Sequence, residues 1–263
     1  MKKTVIALAV AASAVVSGSA MAWTANGTGG SVDLGGSLTP QDKLTPWEVM
    51  VGTAVADLDA QIQKGSTSTE VTVKKPIVVL GIRTQANTPF NGQSGIAPQI
   101  NYNGAVNVDE FNKGFAPLTL DIKDSTSDNK IGTMSASMFG GAEMSWKNTT
   151  GEGGEKGVLY ASAAGQAFFG GLGKTTSSVS DNPWSGATDL STEITANYDD
   201  QSVPLTSGVY AEDNFDKPTI AYSAYYGAGF EAGSVMKITL DTPAAGDTPI
   251  TWKASLPVTV SYQ

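Results

Sequence analysis

The chain has 263 residues, a net charge of −9 and 40% hydrophobic residues, with neither histidine nor cysteine. That inventory excludes Ser-His-Asp and Cys-His catalysis, disulfide bonds and the preferred ligands of zinc. The acidity argues against nucleic acid and anionic membrane surfaces as partners. Paired carboxylates of the glycosidase type survive the inventory, but Glu152 with Glu155 and Asp199 with Asp200 read as solvated loop acids. No enzymatic activity, cofactor or metal is expected.

Residues 1–22 have a basic start (Lys2, Lys3), an apolar run from Val5 to Val16 and an Ala20-Met21-Ala22 cleavage site. This is the layout of a secretory signal peptide. Its removal leaves 241 residues beginning at Trp23 and, with two lysines gone, a net charge of −11. "TGGSVDLGGSLTP" (28–40) follows, with Val32, Leu34 and Leu38 on one face of an extended strand among four glycines. No hairpin turn folds this strand back on a neighbour.

"TPWEVMVGTAVADLDAQIQKG" (45–65) has Leu58 and Ile62 four apart, so its second half is expected to be a short helix. Strands are expected in "EVTVKKPIVVLGI" (70–82, broken by Pro76), "APQINY" (97–102), "APLTLDIK" (116–123) and "IGTMSASMFG" (131–140). "DSTSDNK" (124–130) lacks calcium-loop spacing and reads as a hairpin turn. The alanine-rich "GEKGVLYASAAGQAFFGGLG" (154–173) has helical spacing, and 173–209 reads as loops with at most one short helix. In "GGLGKTT" (170–176), Phe168 stands where a phosphate loop needs its leading glycine, so no nucleotide site is assigned. "TIAYSAYYGAGF" (219–230) and "SVMKITL" (234–240) complete the middle strands. The aromatics Tyr222, Tyr225, Tyr226 and Phe230 fit strand packing better than a sugar-stacking platform.

The last fourteen residues carry the strongest pattern. Ile250, Trp252, Ala254, Leu256, Val258, Val260 and Tyr262 share one face, and polar residues with Pro257 share the other. Pro257 cannot donate a ladder hydrogen bond, which points to an edge strand. An edge this apolar would aggregate unless something covered it.

The signal together with "GSVDLGGSLT", "PWEVMVGTA", "KKPIVVLG", "GIAPQI", "LYASAAGQAFFGGL", "YAEDNF" and the ending "VTVSYQ" resembles the Fae/Clp-type major fimbrial subunits of Gram-negative bacteria. The likeness is colinear over nearly the whole chain. It implies an all-β fold, an incomplete immunoglobulin-like antiparallel sandwich completed by a donor strand from another subunit, with a partly helical insertion at about 141–209. The implied layout is a signal at 1–22, a donor-strand extension at 23–42 and a pilin domain at 43–263. The resemblance carries the donor segment to Val32, Leu34, Gly36 and Leu38, and the groove-lining, chaperone-binding strand to Leu256, Val258, Val260 and Tyr262. Implied partners are a periplasmic chaperone, an outer-membrane usher and identical neighbouring subunits in a fibre on the cell surface. A host-cell glycan joins them if the subunit is itself adhesive. The stretch from Gly173 to Val209 is shorter than the corresponding part of the best-known members, so no sugar-contacting residue is carried over. Receptor contact is expected within 141–209, with Trp146 or Trp184 as the candidate side chains, Trp184 presented by the turn "DNPWSG". The alternatives are an outer-membrane β-barrel, disfavoured by the final Gln263 and the lack of repeated long outward-apolar strands, and a secreted carbohydrate-binding protein, which leaves both terminal strands unexplained.

Overall fold

A computed structural model describes residues 25–39 and 44–263 of the chain; the expected signal segment lies outside the described residues. Two units are distinguished, Met1–Lys43 and Leu44–Gln263. In the first, residues 27–39 adopt no regular structure and are exposed.

The second unit is built almost wholly of strands. They are β1 (Trp47–Val51), β2 (Ser68–Thr72), β3 (Ile77–Thr84), β4 (Phe90–Asn91), β5 (Pro98–Asn101), β6 (Phe115–Asp124), β7 (Lys130–Asn148) and β8 (Gly154–Leu159). Helices α1 (Pro183–Leu190) and α2 (Thr192–Thr195) come next, then β9 (Leu205–Ala211), β10 (Ile220–Phe230), β11 (Val235–Leu240), β12 (Trp252–Ala254) and β13 (Thr259–Tyr262). All pairings are antiparallel except β8 with β9.

The 19-residue β7 organises the sheet. Its first half pairs with β6 and β11, and its second half pairs with β10 and β8. Strand alternation then fills a common core from both sets. Ala116, Leu118, Leu120 and Ile122 point inward from β6, and Met236, Ile238 and Leu240 from β11. They meet Leu80 and Ile82 of β3 and Tyr222 and Tyr226 of β10 in one cluster. This is the sandwich that the alternating runs specify. The β6–β7 turn is held by Asp124, whose Oδ1 accepts from the backbone N–H of Thr126 and Ser127, as a hairpin reading of "DSTSDNK" requires.

Every residue of β10 from Tyr222 to Phe230 is buried, because its two faces serve two cores. The second core joins Phe139 and Tyr225 to Ala187 and Leu190 of α1 and Ile194 of α2. The helices can lie this close because β10 carries Gly227, where a Cβ would stand 3.1 Å from the Ala187 methyl. The tyrosine set of 219–230 is thus core, not a sugar platform. Helix α1 starts where its sequence prescribes: the Asn182 side chain accepts from Ser185 N–H, and Pro183 follows at the first helical position.

Two expected helices are absent. Residues 45–65 form β1 and then an irregular extended stretch, and 154–173 form β8 followed by turns. In the latter, Phe168 and Phe169 line the edge of β5, with Phe168 N–H donating to Pro98 O (2.7 Å) and Ile100 N–H to Phe169 O (2.8 Å). Phe168 itself enters the main core against Trp47, Phe215 and Tyr226. Burying these rings outweighs the modest helix preference of the alanines.

Gly170 makes this turn beside β5 feasible. Its φ is +83°, and a Cβ would lie 2.0 Å from the Ile100 carbonyl oxygen. Gly170→Ala is expected to cost at least about 2 kcal/mol, read as a lowered urea midpoint with an unchanged slope. A midpoint like that of the parent protein would refute the close approach.

Candidate functional site

The C-terminal strand is an edge with two different sides. Strand β13 pairs with β5, Thr259 opposite Asn101 and Tyr262 opposite Pro98. Ala97 and Gln263 exchange both backbone bonds, at 3.0 and 3.1 Å. In an antiparallel ladder such doubly bonded pairs alternate with unbonded ones. Gln263, Ser261 and Thr259 therefore direct their backbone groups at β5, and Tyr262, Val260, Val258 and Leu256 direct theirs away from it. Consistently, the backbones of Pro98 and Ile100 bond Phe168 and Phe169 on β5's far side. The same parity holds at β12, where Ser125 N–H donates to Thr251 O (3.1 Å) and Trp252 and Ala254 fall between bonded pairs.

Pro257 falls in the odd set, opposite a position beyond the end of β5. Its missing N–H removes nothing from the open side. The expected continuous strand over 250–263 is interrupted at 255–258, and Ile250 is exposed rather than turned inward.

Leu256, Val258, Val260 and Tyr262 are only half-buried, although each packs against the main core. Such a face on a paired strand would be fully enclosed. The same four residues hold the unpaired backbone groups.

A second open stretch lies at 53–62, where the sequence reading placed a helix. Gly52 N–H bonds Val79 O (3.2 Å), and the next backbone–backbone bond along the chain is at Gln63 O. Residues 53–62 make no backbone–backbone bond among the described residues. Leu58 and Ile62 are half-buried on the same core cluster as the C-terminal residues.

Trp47 Nε1, at the start of β1, donates to Ile96 O (2.7 Å), beside the Ala97–Gln263 pair. After 53–62, Gly65 N–H donates to Ala244 O (2.8 Å) and Ala244 N–H to Ser66 O (2.9 Å). Lys64 also forms an ion pair with Asp247. Two stretches thus pack on the same core with open backbone groups: 53–62, and one side of 255–262. The signal for the first was present in the sequence: Ala56, Leu58, Ala60 and Ile62 alternate with Asp57, Asp59 and Gln61, and a spacing of four satisfies both periods.

The extension, in the other unit, shows the complementary property. Val32, Leu34 and Leu38 are 83%, 93% and 100% exposed, and residues 25–39 take part in no β-pairing among the described residues. Gly36 lies on the same side of the alternation.

The two tryptophans occupy different settings. Trp146 lies on β7 opposite Tyr222 of β10, partly buried against the main core. Trp184 is at the start of α1, not in a turn, and is 42% exposed, with its ring against Tyr198 and Tyr225. Charges near the C-terminal edge are mutually neutralised. Asp128 is held below the usual carboxylate range by hydrogen bonding from Lys253 (2.9 Å), with Lys123 adding to the effect.

The domain is all-β, its last strand is open on one side, and an exposed alternating segment precedes it. The chain matches the family described as "Fimbrial, major and minor subunit" over residues 1–263. It is 32% identical to the K88 fimbrial protein AB and 31% identical to the K88 fimbrial protein AD of Escherichia coli, with all of both chains covered in each case. It is 28% identical to the F41 fimbrial protein of Escherichia coli, again over all of both chains. The chain belongs to the K88 fimbrial family. It is a structural subunit of a surface fimbrium, and its subunits polymerise into a fibre. The outer-membrane barrel and the free secreted binding protein give way to this assignment.

The edge geometry predicts an alternating pattern of amide exchange in the isolated protein. The N–H groups of Thr259, Ser261 and Gln263 should be protected, and those of Val258, Val260 and Tyr262 should exchange on the order of 100-fold faster. Residue-resolved NMR exchange measures this directly. Equal protection of the two sets would mean that the edge is already covered.

Proposed function

We propose that the fibre grows by donor-strand exchange, with residues 23–42 of one subunit entering the space between 53–62 and 255–262 of the next. The domain proper then spans 43–263, with the inserted region at about 141–209. The observation that carries this reading is the coincidence of open backbone and half-buried side chains at Leu256, Val258, Val260 and Tyr262. Strand addition satisfies both at once, with backbone bonds giving affinity and alternate side chains giving register.

The donor supplies Val32, Leu34, Gly36 and Leu38 at the same two-residue spacing. Each of the three larger side chains adds roughly 1.5 to 3 kcal/mol on full burial. Each backbone bond adds about 1 kcal/mol net. Before assembly an open apolar edge of this kind would aggregate. A periplasmic chaperone that lends a temporary strand, and an outer-membrane usher that replaces it with the extension, are the partners this chemistry calls for.

Deleting residues 23–38 should leave the chaperone-bound domain folded and abolish polymers. Leu34→Asp should do the same, while Asp33→Ala should be nearly silent, because register decides which side chains are buried. The readout is the ladder of boil-sensitive multimers on a gel. Normal ladders from the truncated chain would overturn the reading.

The region 141–209 is further proposed to make any contact with a host-cell glycan, with Trp184 favoured over Trp146 because its ring is partly open to solvent. Trp184→Ala should reduce host-cell binding by at least about tenfold (roughly 1.4 kcal/mol, within the range of an aromatic anchor) with fibres intact. Unchanged binding by Trp184→Ala fibres would place the contact elsewhere.

A further inference from the structure

The contact between α1–α2 and the sheet is largely apolar, with Arg83 of β3 paired to the exposed Glu193 of α2 (3.2 Å) and one carboxyl buried within it. Glu143 of β7 is 9% exposed, and Tyr198, shortly after α2, donates its phenol to Glu143 Oε1 at 2.8 Å. Tyr225 stands directly opposite Glu143 in the β10–β7 ladder, and its buried hydroxyl has no hydrogen-bond partner. The rings of Trp184, Tyr198 and Tyr225 enclose the site, with centroids 5.2 to 5.8 Å apart.

We propose that Glu143 is a proton-controlled latch that holds the α1–α2 cap more tightly to the sheet when neutral than when ionised. A buried carboxylate needs several donors, and here one phenol serves it. The nearest cation does not fill the gap, since Lys156 of β8 is ion-paired with Asp200 at 2.9 Å. A neutral carboxyl needs less. The groups facing Glu143 are Tyr225 from β10, Tyr198 and Asp200 from the segment after α2, and Lys156 from β8. Asp189 of α1 and Glu193 of α2 are solvent-exposed.

Burial accordingly pushes Glu143 above the ordinary glutamate value, against the opposing Tyr198 bond. A group raised in the closed state contributes fully below its open-state value and loses that contribution as pH rises through the closed-state value. The cap is tightest in acid and loosens toward neutrality. With it moves the ring of Trp184, the exposed aromatic at the start of α1.

Hydrogen exchange of the whole protein between pH 4 and 7.5, corrected for intrinsic rates, tests the latch. The opening constant of 185–198 should rise by up to about tenfold per pH unit within the window, while β6 shows no such trend. Glu143→Gln, neutral at every pH, should flatten the profile at the protected level. A wild-type profile without slope, or one retained in Glu143→Gln, overturns the proposal. Should that variant fail to fold, carbon-13 titration of the wild-type Glu143 carboxyl decides instead. A midpoint above the ordinary glutamate value supports the latch, and one at or below it refutes it.

Discussion

The same four residues turn their side chains to the core and their backbone groups to the unpaired side, and this parity governs the molecule. In an antiparallel edge strand the two directions are set together by the pleat and the ladder. Once Gln263 bonds Ala97, the openness of Leu256, Val258, Val260 and Tyr262 follows. On the proposed assembly, the atoms that cover those residues come from a neighbouring subunit. A strand is the one covering that meets both demands, which is why an exposed segment with two-residue apolar spacing is the natural complement.

The rest of the domain holds that edge rigid. Strand β5 is fixed on its far side by the Phe168–Phe169 segment, and Phe168 is wedged among Trp47, Phe215 and Tyr226. Trp47 in turn ties the start of β1 to Ile96, next to the chain end. An edge held this way keeps its backbone groups in ladder geometry before any partner arrives, which lowers the ordering cost of adding a strand. The helical cap sits on the opposite face of β10, so its packing can change without disturbing β13.

Much of this was legible in the sequence. The alternation in 116–123, 234–240 and 250–263 placed β6, β11 and the C-terminal edge, whereas "DNPWSG" reads as a turn although Asn182 and Pro183 cap and open α1 there. Two misreadings share a cause. Leu58 with Ile62, and Leu159, Ala163 and Ala167, are spaced by four, which one face of a helix and one face of a strand both contain. What decides between them is whether another backbone, or an apolar pocket across the core, is waiting. For 160–173 it is the pocket that takes Phe168, a contact with Trp47 more than a hundred positions away. For 53–62 no backbone partner is present among the described residues. The latch at Glu143 was equally hidden, since nothing local announces that Tyr198 and Tyr225 converge on it.

Pro257 has a consequence for the architecture of the fibre. It sits in the odd-numbered set of the last strand, so it leaves the open side with all its donors and removes one from the side that faces β5. Strand addition at the chain's end is thereby confined to one flank. On the proposed assembly each subunit then has one strand to give and one place to receive, a functionality of two in the polymer chemist's sense. Units of functionality two make linear chains and cannot make networks. The length of such a fibre is set by how often growth starts and stops, while its thinness and lack of branches are written into the edge of a single strand.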